Sequence, residues 1–137
     1  MPSSGWALQK AVFEALSTDV DLTALIGADK IFDDVPRNAE YPYVTFGLSQ
    51  LRDWETGTET GQEHLFSLHV WSRENGRKEV YETMGLLQSA LHDASLALEG
   101  YRLVNLRHEF SEARRETDGE TYRGLVRFRA TTEPITG

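Results

Sequence analysis

Apolar residues recur at helical spacing in three stretches of this chain and at alternate positions in five others. From Gly5 to about Ser17, Leu8, Val12, Ala15 and Leu16 fall on one face, with Phe13 on its flank and Ser4 placed to cap the first turn. Thr18 and Asp21 then suit the start of a short second helix that buries Leu22, Leu25 and Ile26 and stops at Gly27. A third helix is expected from Gly76 to about Ala94, capped by Asn75, with Val80, Met84, Leu87 and Leu91 as its stripe. Between and after these helices the period shortens to two. Lys30 to Val35, Tyr43 to Trp54, Gln62 to Arg73, Tyr101 to Glu116 and Thr121 to Glu133 read as strands. The segment from Pro36 to Pro42 reads as a loop, and Gly57 to Gly61 as a flexible connection.

The last two strands flank Asp118-Gly119, a strong hairpin signal. Each arm runs to about a dozen residues, against about 5–6 for an ordinary strand, and a small domain has too little core to cover both faces of arms that long. Part of the hairpin is therefore expected to meet another molecule. Helix, helix, short strand, two long strands, helix and two long strands describe an α+β fold. The expected architecture is a mainly antiparallel four- to five-stranded sheet with its helices packed on one face and a long C-terminal β-hairpin. Alternation assigns Val44, Phe46, Leu48, Phe66, Leu68, Val70, Val104, Leu106, Val126 and Phe128 to the covered face. The other face would carry Tyr43, Thr45, Ser49, Leu65, Ser67, His69, Trp71, Leu103, Asn105, Leu125, Arg127 and Arg129. A contiguous Leu65, Trp71, Leu103 and Leu125 there would mark a partner surface; scattered, they would be an ordinary wet face.

Length and composition keep this picture to one unit. The 137 residues suit a single domain spanning 1–137, with no repeat or linker to divide it. No apolar run approaches a membrane span, and the N-terminus lacks the basic start and apolar stretch of a signal peptide. The absence of cysteine removes disulfides, thiolate catalysis and Cys-based metal sites. Charge adds more. The net of −8 argues against a general nucleic-acid binder. Residues 1–100 hold 7 basic and 16 acidic residues, whereas residues 101–137 hold 7 arginines and 6 acids. An acidic body with an arginine-bearing hairpin suits head-to-tail pairing of copies, and equally a plain solubilising surface.

Candidate chemistry is sparse. His64 and His69 stand five apart on one strand and so point to opposite faces. His92 falls near a helix C-terminus, where a histidine is a favourable end group. No His-x-x-x-His pair, phosphate loop or nucleophile elbow occurs. Asp29, Asp33 and Asp34 lack the ligand spacing of a calcium loop and read as a solvated turn. Glu109, Glu112 and Glu116 interleave with Arg107, Arg114 and Arg115, a pattern that favours cross-strand ion pairs over acid–base work. An enzyme would need His108 gathered with Glu109 or Glu112 in a pocket. Neither cofactor nor metal is expected.

A series of short segments gives the chain a resemblance. It comprises Leu8 to Leu16, Asp19-x-x-Leu22-x-x-Leu25, Ile31-Phe32-Asp33-Asp34-Val35-Pro36 and Tyr41-Pro42-Tyr43-Val44-Thr45-Phe46-Gly47. His69-Val70-Trp71-Ser72, Arg77-Lys78-Glu79-Val80, Leu103-Val104, Arg114 to Gly119 and Tyr122-Arg123-Gly124 continue it. In this order the segments resemble the small phage tail-completion or tail-terminator proteins, in the branch also found in phage-derived gene transfer agents. The resemblance implies a non-enzymatic virion protein, made in the bacterial cytoplasm and placed at the tail–neck junction. It implies a homohexameric ring that caps the tail tube and joins it to the capsid neck. The partners would be the chain itself, the tube protein and a neck or connector protein, with DNA only in transit and no membrane. Subunit or tube contacts are then expected at Arg52, Trp54, Glu55, Thr58 and Glu59 around one loop, and at Arg114, Arg115, Asp118, Arg123 and Arg127 on the hairpin. Another head–tail connector is the alternative nearest to this reading; a small hydrolase is the distant one.

Overall fold

The computed structural model describes residues 3–56 and 59–135, without the side chains of residues 55, 56 and 59. Helix α1 (Ser4–Ser17) opens on Ser3, one residue before the expected cap, whose side chain accepts from the Trp6 N–H. Asp19, rather than Thr18, caps α2 (Val20–Ile26) by accepting from the Leu22 N–H at 2.9 Å. Gly27 ends it at φ 98°, in the left-handed region that glycine enters freely. Strands β1 (Ile31–Phe32), β2 (Tyr43–Thr56) and β3 (Glu59–Ser72) follow, then α3 (Lys78–Leu91), β4 (Ala97–Leu98), β5 (Tyr101–Arg115) and β6 (Tyr122–Pro134). The fold is α+β, as the patterning predicts. Its sheet has six strands rather than four or five, because the two-residue β4 carries too little alternation to be read from sequence.

Strand order is β1-β2-β3-β6-β5-β4, antiparallel throughout except for the β1–β2 pair. The C-terminal hairpin is therefore no free-standing arm. Its second strand, β6, pairs with β3 from Ser72↔Tyr122 to Gln62↔Thr132 and lies in the middle of the sheet. The helices cover one face, where Leu16, Leu22, Val44, Leu68, Val70, Leu87, Leu91, Leu106, Val126 and Phe128 are essentially inaccessible. Each such side chain contributes about 1.5–3 kcal/mol through burial. Gly124 on β6 lets α3 come close: a Cβ there would stand 2.7 Å from both Met84 Sδ and Val80 Cγ1.

Two positions assigned to the covered face leave it. Leu48 is 60% exposed and Val104 43% exposed. Both fall at register shifts, between Phe46 and Ser49 on β2 and between Leu103 and Asn105 on β5. An extra residue in one strand reverses the alternation beyond it. Leu103, expected on the open face, accordingly packs against the core. A third shift separates His108 from Phe110. Helix α3 also departs from expectation: Asn75 adopts φ 44°, and the cap position falls to Arg77, which makes no side-chain capping bond. Ser72 Oγ donates to Glu79 Oε1 at 2.6 Å and ties the first turn of α3 to the end of β3.

Candidate functional site: a helix-free, arginine-bearing sheet face

Among the described residues no helix covers the second face of the sheet. Strand register places Arg52, Arg107, Arg114, Arg123, Arg127 and Arg129 on it, with Glu63, Glu112, His69, Thr45 and Trp71 among them. Glu63 is its electrostatic hub. The carboxylate, on a residue only 5% exposed, accepts from Arg129 Nε at 3.0 Å and from Arg52 Nε at 3.0 Å, with Arg52 Nη2 at 2.9 Å. Arg129 Nη2 closes a second bond to the same oxygen as Arg129 Nε. Hydrogen bonding from Arg129, with the charge of Arg52 behind it, holds the Glu63 carboxyl below the usual carboxylate range. Two guanidiniums on one carboxylate leave a net positive charge. Arg107 stands directly opposite Arg129 across the β5–β6 ladder, and each turns to its own carboxylate, Asp93 and Glu63.

The contact residues expected from sequence fall into two groups at opposite ends of the sheet. Arg52 and the half-buried Trp54 lie toward the β2–β3 hairpin tip. Thr58 and the side chains of Glu55 and Glu59 lie outside the described residues. Arg114, Arg115, Asp118 and Arg123 gather around the β5–β6 turn. Arg123 pairs with Glu116 at 2.9 Å and lies over the Trp71 ring, and Arg114 reaches the same Glu116 at 3.5 Å. Arg115 donates to the Gly119 carbonyl. Asp118 accepts from the Thr121 hydroxyl, the Thr121 N–H and the Glu120 N–H, and these bonds lower its pKa to about 2. Arg127 lies midway along the face, 4.7 Å over the Phe110 ring. Sequence reasoning missed Glu63 and Arg73. Arg73 joins the end of β3 to the turn through Asp118, Glu120 and Thr121, and lies over the Tyr41 ring. Neither residue sits in a motif, so only the strand register reveals them.

Among the described residues nothing on this face converges as a catalytic site does. His64 is buried on the helix side against Thr132, and His69 lies on the open side stacked along Trp71, as their spacing requires. Burial pushes both imidazoles below their ordinary pKa. His108 bonds Ser111 at 2.7 Å and meets the Phe128 ring edge-on, apart from Glu109 and Glu112. His92 caps the end of α3 and accepts from the His108 N–H. Asp93 pairs with Arg107, which takes that arginine out of the expected row of pairs with Glu109 and Glu112. Among the described residues no group of three His, Cys, Asp or Glu is disposed to hold a metal. No helix is long and apolar enough to cross a membrane. The apolar set proposed for a partner surface is not contiguous either, since Leu103 belongs to the core side.

The six arginines set along one sheet face offer a charged surface to another molecule. Comparison with known proteins makes the class specific. Residues 10–133 match the family described as tail completion protein gp17, and the chain belongs to that family. A relative of that name from Bacillus phage SPP1 is 27% identical over 125 residues, 91% of each chain. A chain from the virion of a native gene transfer agent particle superposes with a TM-score of 0.89 at 30% identity, over 97% of this chain and 99% of that one. Tail completion is a structural task within a virion, so a virion protein without enzymatic activity is the identity that the family gives.

Proposed function

We propose that this chain is a tail terminator. Copies close into a homohexameric ring that caps the finished tail tube and joins it to the capsid neck, with DNA passing through the centre. The 137 residues act as one domain in that ring. The observation that carries the reading is a charge polarity along the strand order. Residues 13–41, which include β1 at one end of the sheet, hold seven acids and two basic residues. Toward the other end β5 carries Arg102, Arg107, Arg114 and Arg115 against Glu109 and Glu112. Unlike ends at opposite sides of one subunit suit a head-to-tail contact, which closes into a ring if the rotation per subunit allows. The gene-transfer-agent chain, similar over almost its whole length, comes from an assembled virion. That supports the assembly reading.

On this reading the β5–β6 turn, with Arg114, Arg115, Asp118 and Arg123, meets a neighbouring subunit. The β2–β3 tip, with Arg52, Trp54, Glu55, Thr58 and Glu59, meets the tube, and Arg127 lies between the two. The test is absolute mass in solution, with and without tail tubes, for the natural chain and for the double variant Arg114→Glu, Arg115→Glu. The natural chain is expected as a hexamer, alone or on tubes. The variant should keep its circular dichroism and stay monomeric. A variant that still forms rings would remove the turn from the interface.

A further inference from the structure

Both long edges of the sheet are left open, and at opposite ends. On β2 only Val44 and Thr45 have a partner strand outside, the two-residue β1. From Phe46 to Trp54 nothing among the described residues pairs with that edge. On β5 the short β4 covers Tyr101 and Arg102, and the turn after α3 covers a little more: Asp93 N–H bonds the Leu106 carbonyl and His108 N–H bonds His92. From Glu109 to Arg115 the outer edge is bare among the described residues. Natural sheets normally blunt such edges, because a row of unpaired N–H and C=O groups recruits another strand.

We infer that the bare edge of β5 in one copy pairs with the bare edge of β2 in the next, so that the sheet runs on from subunit to subunit around the ring. This rests on the ring reading above and names the contact that builds the ring. Symmetry selects the partner. Two β5 edges, or two β2 edges, would meet about a two-fold axis and leave the other edge of each copy bare, whereas β5 against β2 repeats from copy to copy and can close into a ring. Both stretches are mixed in charge, with Glu109, Glu112, Arg114 and Arg115 on one and Arg52 and Asp53 on the other. Direction agrees as well. Three successive antiparallel steps separate β2 from β5, so they run oppositely. A neighbour placed by rotation about the ring axis therefore continues the antiparallel ladder.

The heights of the two edges fix the tilt. Thr45 shares a row with Glu112, through His69 and Leu125. The bare stretch of β2 thus begins where that of β5 is already centred. Matching their centres shifts each subunit by about five to six residues, roughly 17–20 Å at ~3.3 Å per residue. Across four long strands spaced ~4.8 Å apart, that shift is a strand tilt of about 45°, at the upper end of the ~35–45° found in closed barrels. The open edges are offset as a closed, sheared ring requires.

Ladder alternation gives the donors. Val44 donates outward to Lys30 and His108 outward to His92, so beyond the register shifts Ser49, Leu51 and Asp53 point outward on β2, as do Ser111, Ala113 and Arg115 on β5. Ser49 and Ser111 are exposed, which makes them suitable probes. Ser49→Pro and Ser111→Pro remove the outward N–H; Ser49→Ala and Ser111→Ala keep it. The proline variants are expected to associate at least tenfold more weakly, the order of effect of losing an interfacial backbone donor, while the alanine variants form rings as the natural chain does. Hydrogen exchange on the natural chain, free and assembled, should show protection appearing at these outward amides. That readout decides alone if a proline variant does not fold. Proline variants that form full rings, or outward amides that exchange equally fast in ring and monomer, would overturn the pairing and leave the ring standing. A natural chain that stays monomeric on tubes would instead overturn the ring reading itself.

Discussion

Glu63 shows how much one side chain can organise on a face without helices. A glutamate at an alternating strand position reads as solvated, and the sequence holds no signal that Arg52, eleven residues earlier, and Arg129, sixty-six later, converge on it. Only register brings them together. Because the folded carboxyl titrates below its unfolded value of about 4.3, its contribution is present above that pH and is lost as pH falls through the folded value. The stability of the natural chain relative to Glu63→Gln should therefore be greatest near neutrality and shrink below about pH 4. Thermal melts of both proteins from pH 7 to pH 3 check this, and a constant difference across the range would refute it. The histidines teach the opposite lesson. His64 and His69 were legible, because a five-residue separation on a strand fixes opposite faces whatever the fold.

At the level of elements, periodicity carried the reading as far as periodicity reaches. Every helix and long strand was visible, and the core faces of β3 and β6 were assigned without error because those central strands pair without a register shift. The outer strands were misread beyond their inserted residues, where Leu48, Leu103 and Val104 change sides. A bulge costs one residue and leaves no compositional mark. Asn75 misled for a related reason, since a residue good at capping is also good at the left-handed turn it occupies here. The contact between α3 and β6 gives a prediction of its own. Gly124→Ala would force a methyl group into Val80 and Met84, so α3 must lift or repack. Overpacking of this kind costs about 1–3 kcal/mol. Chemical denaturation should show that loss, and pairing the change with Met84→Ala should recover part of it.

For the whole molecule, the legible part was the class, and the ordered series of short segments from Leu8 to Gly124 was its clue; the uneven distribution of charge fitted it. Where that charge lies in space was not legible, because strand order is set by which edges meet and not by the order of the strands in the chain. The polarity has a measurable consequence. If unlike ends hold subunits together, association should weaken as ionic strength rises from about 50 mM to about 0.5 M, since screening lengths fall well below the subunit width. Sedimentation across that range should show hexamer giving way to monomer. A ring insensitive to salt would assign its cohesion to strand pairing and apolar contacts, with Leu48, Leu51 and Phe110 as the exposed apolar candidates.

The place of β6 between β3 and β5 also governs when a subunit becomes usable. It is the last strand of the sheet to be synthesised, yet two strands made before it depend on it for their inner edges. A chain interrupted between Arg115 and Tyr122 leaves β3 and β5 without their shared neighbour and the sheet in two halves, and one interrupted earlier loses β5 as well. Prematurely ended translation products thus exclude themselves, and a growing assembly draws only on chains that have been read through to the middle of their own sheet.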